Sequence, residues 1–238
     1  GANIFGQIQR LRRNPNIVIG TPGRLKDLHQ RKILDLYKFK TIVLDEVDRM
    51  LDMGFVVDIK YLISNLAQQR QSLFFTATMS PQITSIMNSL MVDPITVSVK
   101  SGATAKNVDQ DIVKIQGRSK VEVLHDLLIQ KEFVKVLVFG KTKHGVEKLE
   151  TELLDRGFKV AAIHGDKRQS QRKRALDMFR NSQVKILLAT DVASRGIDVA
   201  DISHVINYDL PESYEDYVHR IGRTGRVNKK GIALSFVD

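Results

Sequence analysis

The chain has 238 residues, 42% of them hydrophobic, enough for one large packed domain or two small ones. Its 37 Lys and Arg against 27 Asp and Glu give a formal charge of +10, which favours a polyanionic partner, nucleic acid before membrane. The absence of cysteine excludes disulfides, thiolate metal sites and cysteine nucleophiles, and no apolar run is long enough to span a membrane. No secretory signal is visible, so an intracellular, cytoplasmic place is expected, although the chain starts at Gly1 and a native start can lie upstream.

What recurs along the chain is a short apolar strand followed by an amphipathic helix. The first half predicts strands over 16–19, 41–44, 72–76 and 95–99, with helices over 23–29, 57–67 and 81–91. The second half predicts strands over 110–115, 135–139, 160–164, 184–189, 204–208 and 232–236. Its helices are expected over 120–131, 144–156, 169–180 and 214–221. This alternation argues for an α/β protein with parallel sheets and helices on both faces. Residues 100–107 are small and polar without an apolar period and read as a linker between a unit over 1–99 and a unit over 108–238. The first unit, with three or four strands, looks incomplete beside the second.

Several turns carry chemistry. Gly20-Thr21-Pro22-Gly23-Arg24 follows a strand and opens a helix, where backbone N–H groups can grip phosphate; a plain strand-to-helix turn is the simpler alternative. Thr41-Ile42-Val43-Leu44 runs into Asp45, Glu46 and Asp48 at the carboxyl end of a strand, where open α/β sheets bind ligands. Carboxylates there can hold Mg²⁺ or merely favour a helix start. Thr76 and Thr78 end a strand at the same edge, where their hydroxyls can link those acids to basic groups; equally, Thr78 or Ser80 can simply cap the helix that begins near Pro81. Gly140-Lys141-Thr142 imitates the tail of a phosphate-binding P-loop, but the glycine required five residues earlier is Lys135, so it is not one.

His164 to Arg174 forms a loop running into a basic helix start. Cations there oppose the helix dipole, so a phosphate backbone is the natural reason for them, with a solvated charged face as the alternative. Thr190 to Asp198 again lies at a strand's carboxyl end. Arg220, Arg223 and Arg226 recur every three residues among glycines, a pattern suited to bidentate phosphate contact.

Taken together, Thr21–Arg24, Asp45–Asp48, Arg49–Phe55, Thr76–Thr78, Phe139–Thr142, Gln169 with Arg172, Thr190–Asp198 and His219–Arg226 resemble, in order, the motifs of DEAD-box RNA helicases of superfamily 2. The resemblance covers nearly the whole chain and implies two RecA-like domains that close on ATP and RNA. It implies that Asp45 holds Mg²⁺ through water and that Glu46 orients and deprotonates the attacking water. Asp48 would couple to Thr76, Thr78 and His219, with Arg220 also serving interdomain coupling. Arg223 and Arg226 would reach the γ-phosphate, Arg226 as the arginine finger, while Gly196 and Asp198 touch the nucleotide. Thr21, Gly23, Arg24, Gln169, Arg172 and Thr190 would contact the RNA backbone. Val47 stands where the family usually has Ala, and Thr76 where it usually has Ser. The family's adenine-reading segment, P-loop and first RNA motif would all precede Gly1. Two other readings remain: a non-catalytic RNA-binding fragment, and a DNA-directed helicase with the same ATP chemistry.

Overall fold

The computed structural model describes residues 3–99, 107–194, 197, 199–226 and 229–238. Its contacts divide the chain into a unit of Ala2–Ser98 and a unit of Val99–Asp238. Most of the expected linker, 100–106, lies outside the described residues.

In the first unit the order is α1 (Ile4–Leu11), α2 (Pro22–Gln30), a 3₁₀ turn (Leu36–Lys38), β1 (Thr41–Leu44), α3 (Val47–Asp52), α4 (Val56–Ser64), β2 (Gln71–Phe74) and α5 (Pro81–Leu90). Caps set several boundaries. Asn3 accepts from Phe5 N–H to open α1, and Ser80 accepts from Ile83 N–H to open α5, with Pro81 in the first helical position. Strands β1 and β2 pair in parallel, Thr41 opposite Gln71 through Leu44 opposite Phe74. Leu44, Val47, Leu51, Ile59, Ile63 and Ile83 pack as one core, and Leu28, Leu34, Leu36, Leu62 and Leu66 as another.

The strands expected over 16–19 and 95–99 do not form. Ile19 and Ile95 are 94% and 91% exposed, and neither segment has a hydrogen-bonded neighbour strand among the described residues. An apolar run becomes a strand only where another strand satisfies its backbone.

The second unit follows as β3 (Val108–Lys114), α6 (Lys120–Leu128), β4 (Val136–Phe139), α7 (Lys143–Asp155), β5 (Val160–Ile163) and α8 (Gln169–Arg180). It ends with β6 (Ile186–Ala189), α9 (Asp191–Ser194), β7 (His204–Asn207), α10 (Tyr214–Ile221) and β8 (Gly231–Val237). All six strands are parallel, in the order β3-β8-β7-β4-β6-β5. Alternate residues of β4 serve opposite layers. Val136 and Val138 pack with Leu124, Leu149 and Leu153 of α6 and α7, whereas Leu137 and Phe139 pack with Ala175 and Phe179 of α8. Strands β4 to β7 are buried on both faces, which is why they read as continuous apolar runs. No helix among the described residues is long and apolar enough to cross a membrane.

Candidate functional site

In the first unit the acidic turn follows β1 directly. Asp45 is exposed and its Oδ1 accepts from Glu46 N–H at 3.0 Å. Glu46 adopts a left-handed conformation (φ 52°, ψ 51°), uncommon for a residue with a side chain and a way of turning the chain sharply from strand into α3. Asp48 points the other way, 6% exposed. Its Oδ1 accepts from Arg49 N–H at 2.9 Å. Its Oδ2 accepts from Ala77 N–H at 3.1 Å, Thr78 N–H at 3.0 Å and the Thr78 hydroxyl at 3.1 Å. Burial alone would raise the Asp48 carboxyl, but the N–H groups of Arg49 and Thr78, with the nearby hydroxyls, outweigh it and hold the group below the usual carboxylate range. Thr76 Oγ1, beside the same carboxylate, donates its one proton to the Thr78 carbonyl at 2.8 Å. The turn after β1 and the turn after β2 are thus clamped together through one carboxylate.

Thr21 precedes α2 and receives the N–H groups of Arg24 and Leu25 on its carbonyl. Pro22 and Gly23 open the helix, and Arg24 donates to Gln7 Oε1 at 2.6 Å. These residues lie in the same unit as Asp45, Glu46, Asp48, Thr76 and Thr78.

In the second unit the candidate residues gather at the carboxyl ends of the strands. Thr142, after β4, caps α7 by accepting from Gly145 N–H at 3.0 Å. Gln169 begins α8 and is exposed; Arg172, one turn on, donates to the Ala193 carbonyl at 3.3 Å. Thr190, after β6, is 9% exposed. At the start of α8, Lys167 is neutralised by Glu150 at 2.6 Å, but Arg168, Lys173 and Arg174 have no carboxylate partner among the described residues.

Within the arginine run the three side chains have different surroundings. Arg220, 2% exposed, makes a two-pronged pair with Asp191 at 2.6 and 2.7 Å, donates to Asn207 Oδ1 and the Asp209 carbonyl, and lies over the Phe139 ring. Arg223 donates to the Ile197 carbonyl at 3.0 Å and Arg226 to the Gly222 carbonyl at 2.8 Å, both half-buried. The loop carrying them is fixed by the buried Thr224, whose hydroxyl donates to the Ile202 carbonyl. Gly225 also holds it, at φ 67°, where a Cβ would run into Val108 and the Asn107 carbonyl. His219 sits on the last turn of α10. Gly196 and Asp198 lie outside the described residues.

Sequence reasoning gave no role to Asp191 or Asp209. Asp191 stands inside a motif already picked out and could have been paired with an arginine on charge alone. Asp209 joins Lys120 Nζ at 3.1 Å and Lys141 N–H at 2.9 Å, partners too distant in sequence to leave a local signal.

The acidic turn stands at one sheet's carboxyl edge and the basic helix start and arginine loop at another's, the edge where open α/β sheets place their ligands. The sequence matches the DEAD/DEAH box helicase family over residues 1–86 and the helicase conserved C-terminal domain over 119–228. It is 44% identical over 238 residues to the ATP-dependent RNA helicase CshA of Limosilactobacillus reuteri, covering 100% of this chain and 48% of that protein. A hypothetical ATP-dependent RNA helicase from Sulfolobus tokodaii is 36% identical, with 100% of this chain and 69% of that one covered at a TM-score of 0.53. Dbp5 of S. cerevisiae bound to RNA and ADP BeF3 is 32% identical, with 94% and 60% covered at a TM-score of 0.82. The chain belongs to the DEAD-box helicase family, and its fold is RecA-like. It spans about half the length of the curated relatives it matches.

Proposed function

We propose that this chain supplies part of an ATP-dependent RNA helicase, with residues 1–99 the later part of its first RecA-like domain and 108–238 its second. The observation that carries this reading is the Asp48 clamp. It leaves Asp45 and Glu46 exposed at the strand's end while tying them to the Thr76–Thr78 turn. Asp45 and Glu46 then serve ATP hydrolysis, with Arg223 and Arg226 stabilising charge on the transferred phosphoryl group. Among the described residues no group of three His, Asp or Glu could enclose a metal. Asp45, exposed at the carboxyl end of β1, suits Mg²⁺, an ion that keeps most of its waters and takes one or two carboxylates. Bound there, Mg²⁺ would neutralise phosphate charge. Glu46 accepts the proton of the attacking water, and Asp48, His219 and Arg220 belong to the coupling between domains. Gly196 and Asp198 are assigned to the nucleotide. Thr21, Gly23, Arg24, Gln169, Arg172 and Thr190 hold the RNA backbone, without reading its bases.

The test grafts this chain into the Limosilactobacillus reuteri relative in place of the matching segment and measures RNA-stimulated phosphate release. Arg226→Ala should lower turnover by ~10³–10⁵, and unchanged turnover removes Arg226 from the mechanism. Single-stranded DNA of the same sequence should stimulate poorly, because a 2′-hydroxyl distinguishes the two. Equal stimulation favours a DNA-directed enzyme. RNA affinity of the chain itself should fall steeply with added salt, since Arg168, Arg172, Lys173 and Arg174 would displace counterions.

A further inference from the structure

The amino edge of the second sheet, opposite the edge that carries the candidate site, holds a groove with a cavity volume of about 420 Å³. Asp109 lies near the start of β3, His204 opens β7, and Leu234 belongs to β8. Leu234 and Phe133 line it with apolar surface, while Asp109, Asp111 and Glu132 stand around it, exposed. Among the described residues no Lys or Arg lines the groove, and none of the three carboxylates has a cationic partner. In a chain of charge +10 that is an unusual place to leave three acids together.

His204 gives the groove a direction. The residue is 3% exposed and its ring stacks on Phe133 at 4.0 Å and 20°. Its Nδ1 lies 3.0 Å from Ser203 Oγ. That hydroxyl has one proton, donated to the Lys135 carbonyl at 3.0 Å, and it already accepts from Lys135 N–H at 3.1 Å. With the Ser203 hydroxyl donating to the Lys135 carbonyl, Nδ1 is the donor to Ser203 Oγ and Nε2 carries the lone pair. Nε2 has no hydrogen-bond partner among the described residues. Burial pushes the His204 ring below its ordinary pKa, against the opposing pull of Glu132, and so keeps it neutral. The three carboxylates and the imidazole are all acceptors, and what fits them is a cation with several donors and an apolar stem.

We propose that this groove receives an arginine side chain presented by an extended segment of a partner protein. Its methylene stem lies on Phe133 and Leu234. Its planar guanidinium donates to Asp109, Asp111, Glu132 and His204 Nε2, a spread that lysine's compact ammonium meets less well. Among the described residues strand β3 is the outer strand of the sheet and pairs only with β8, so an extended segment can run beside it. RNA is disfavoured there by the same carboxylates, and no described cluster is suited to a metal. Because Thr142, Gln169 and Thr190 lie at the opposite edge, the partner and RNA bind together.

The experiment titrates the chain with an end-blocked peptide of alternating leucine and arginine, and with its copy in which neutral citrulline replaces arginine. Calorimetry and backbone amide shifts are the readouts. The proposal expects salt-sensitive binding with shifts centred on 109–111, 132–133 and 204. Affinity should fall roughly tenfold or more for the citrulline peptide and for D109N/D111N/E132Q. The three side chains are exposed, and melting curves establish that the variant folds; the single variant E132Q should give a smaller loss in the same direction. Equal affinity for the citrulline peptide, or for the triple variant, overturns the proposal. So does a concentration-dependent dimer of the chain that D109N/D111N/E132Q abolishes, which assigns the groove to a second copy. Single-stranded RNA added afterwards should bind equally well with and without the peptide; competition overturns the separate-edge arrangement. Failure of the chain to bind RNA at all counts against the helicase reading and leaves the peptide result standing.

Discussion

The two units use the same local device, a short apolar strand leading into a polar turn, in opposite surroundings. In the second unit every residue of β4, β5, β6 and β7 is buried. In the first, Val43 of β1 is 55% exposed and Leu73 of β2 is 37% exposed. A turn after a buried strand is positioned by the layers around it. The acidic turn after β1 is held by the buried Leu44 and Val47 on either side of it and by the hydrogen bonds that converge on Asp48.

This difference can be broken most severely from the second unit. Arg220→Leu should remove the charge that answers Asp191 and leave Asn207 and the Asp209 carbonyl without their donor. Breaking such a buried pair costs about 3–5 kcal/mol, read as a lower urea midpoint for amides of 108–238. Next in size, Leu188→Ala, at a fully buried position of β6, should cost about 2–5 kcal/mol, whereas Leu73→Ala should cost a small fraction of that. Equal losses at the two positions would contradict the contrast in burial.

Much of this architecture was readable in advance, for physical reasons that differ by element. Helices α8 and α10 have the predicted bounds because their ends are written locally; Ser213, for example, accepts from Asp216 N–H at 3.0 Å. The strands expected at 16–19 and 95–99 failed because a strand depends on a neighbour that the segment itself does not encode. Helices α1 and α3 and the four-residue α9 were not predicted, the last because a single turn leaves almost no periodicity. The exposed acids of the candidate site were visible as a motif. The resemblance implied that Asp48 couples to Thr76 and Thr78, but not that the backbone N–H groups of Ala77 and Thr78, 29 and 30 residues away, orient it.

Asp48 offers a subtler test. Asp48→Ala would leave the Ala77 and Thr78 N–H groups without their acceptor, costing about 1–3 kcal/mol in the first unit only. Because the folded-state pKa of Asp48 lies below its ordinary value, its contribution is present above about pH 4. It is lost as the pH falls through the depressed folded value. An acid titration of amides at 76–78 should show that loss in the natural chain and not in the variant.

The smallest expected effect is at His164, 1% exposed, with neither ring nitrogen hydrogen-bonded among the described residues. Burial, helped by Lys167 and opposed by Glu147, Asp166 and Glu150, pushes its pKa below the ordinary value. The unfolded chain therefore takes up a proton near pH 6.5 that the folded one refuses, so stability falls as the pH drops from there toward the folded pKa. His164→Leu should flatten that part of the melting-temperature profile of the second unit; an unchanged slope would place the acid sensitivity at His204 or elsewhere.

The pairing of β3 with β8 sets the order in which the second unit can be completed on the ribosome. Asp109 finds its partner only when Ile232 has been made. At ordinary synthesis rates that is a wait of roughly ten seconds. During it the earliest strand of the unit has no neighbour, and its charged residues, Asp109, Asp111 and Lys114, discourage it from pairing with another nascent chain.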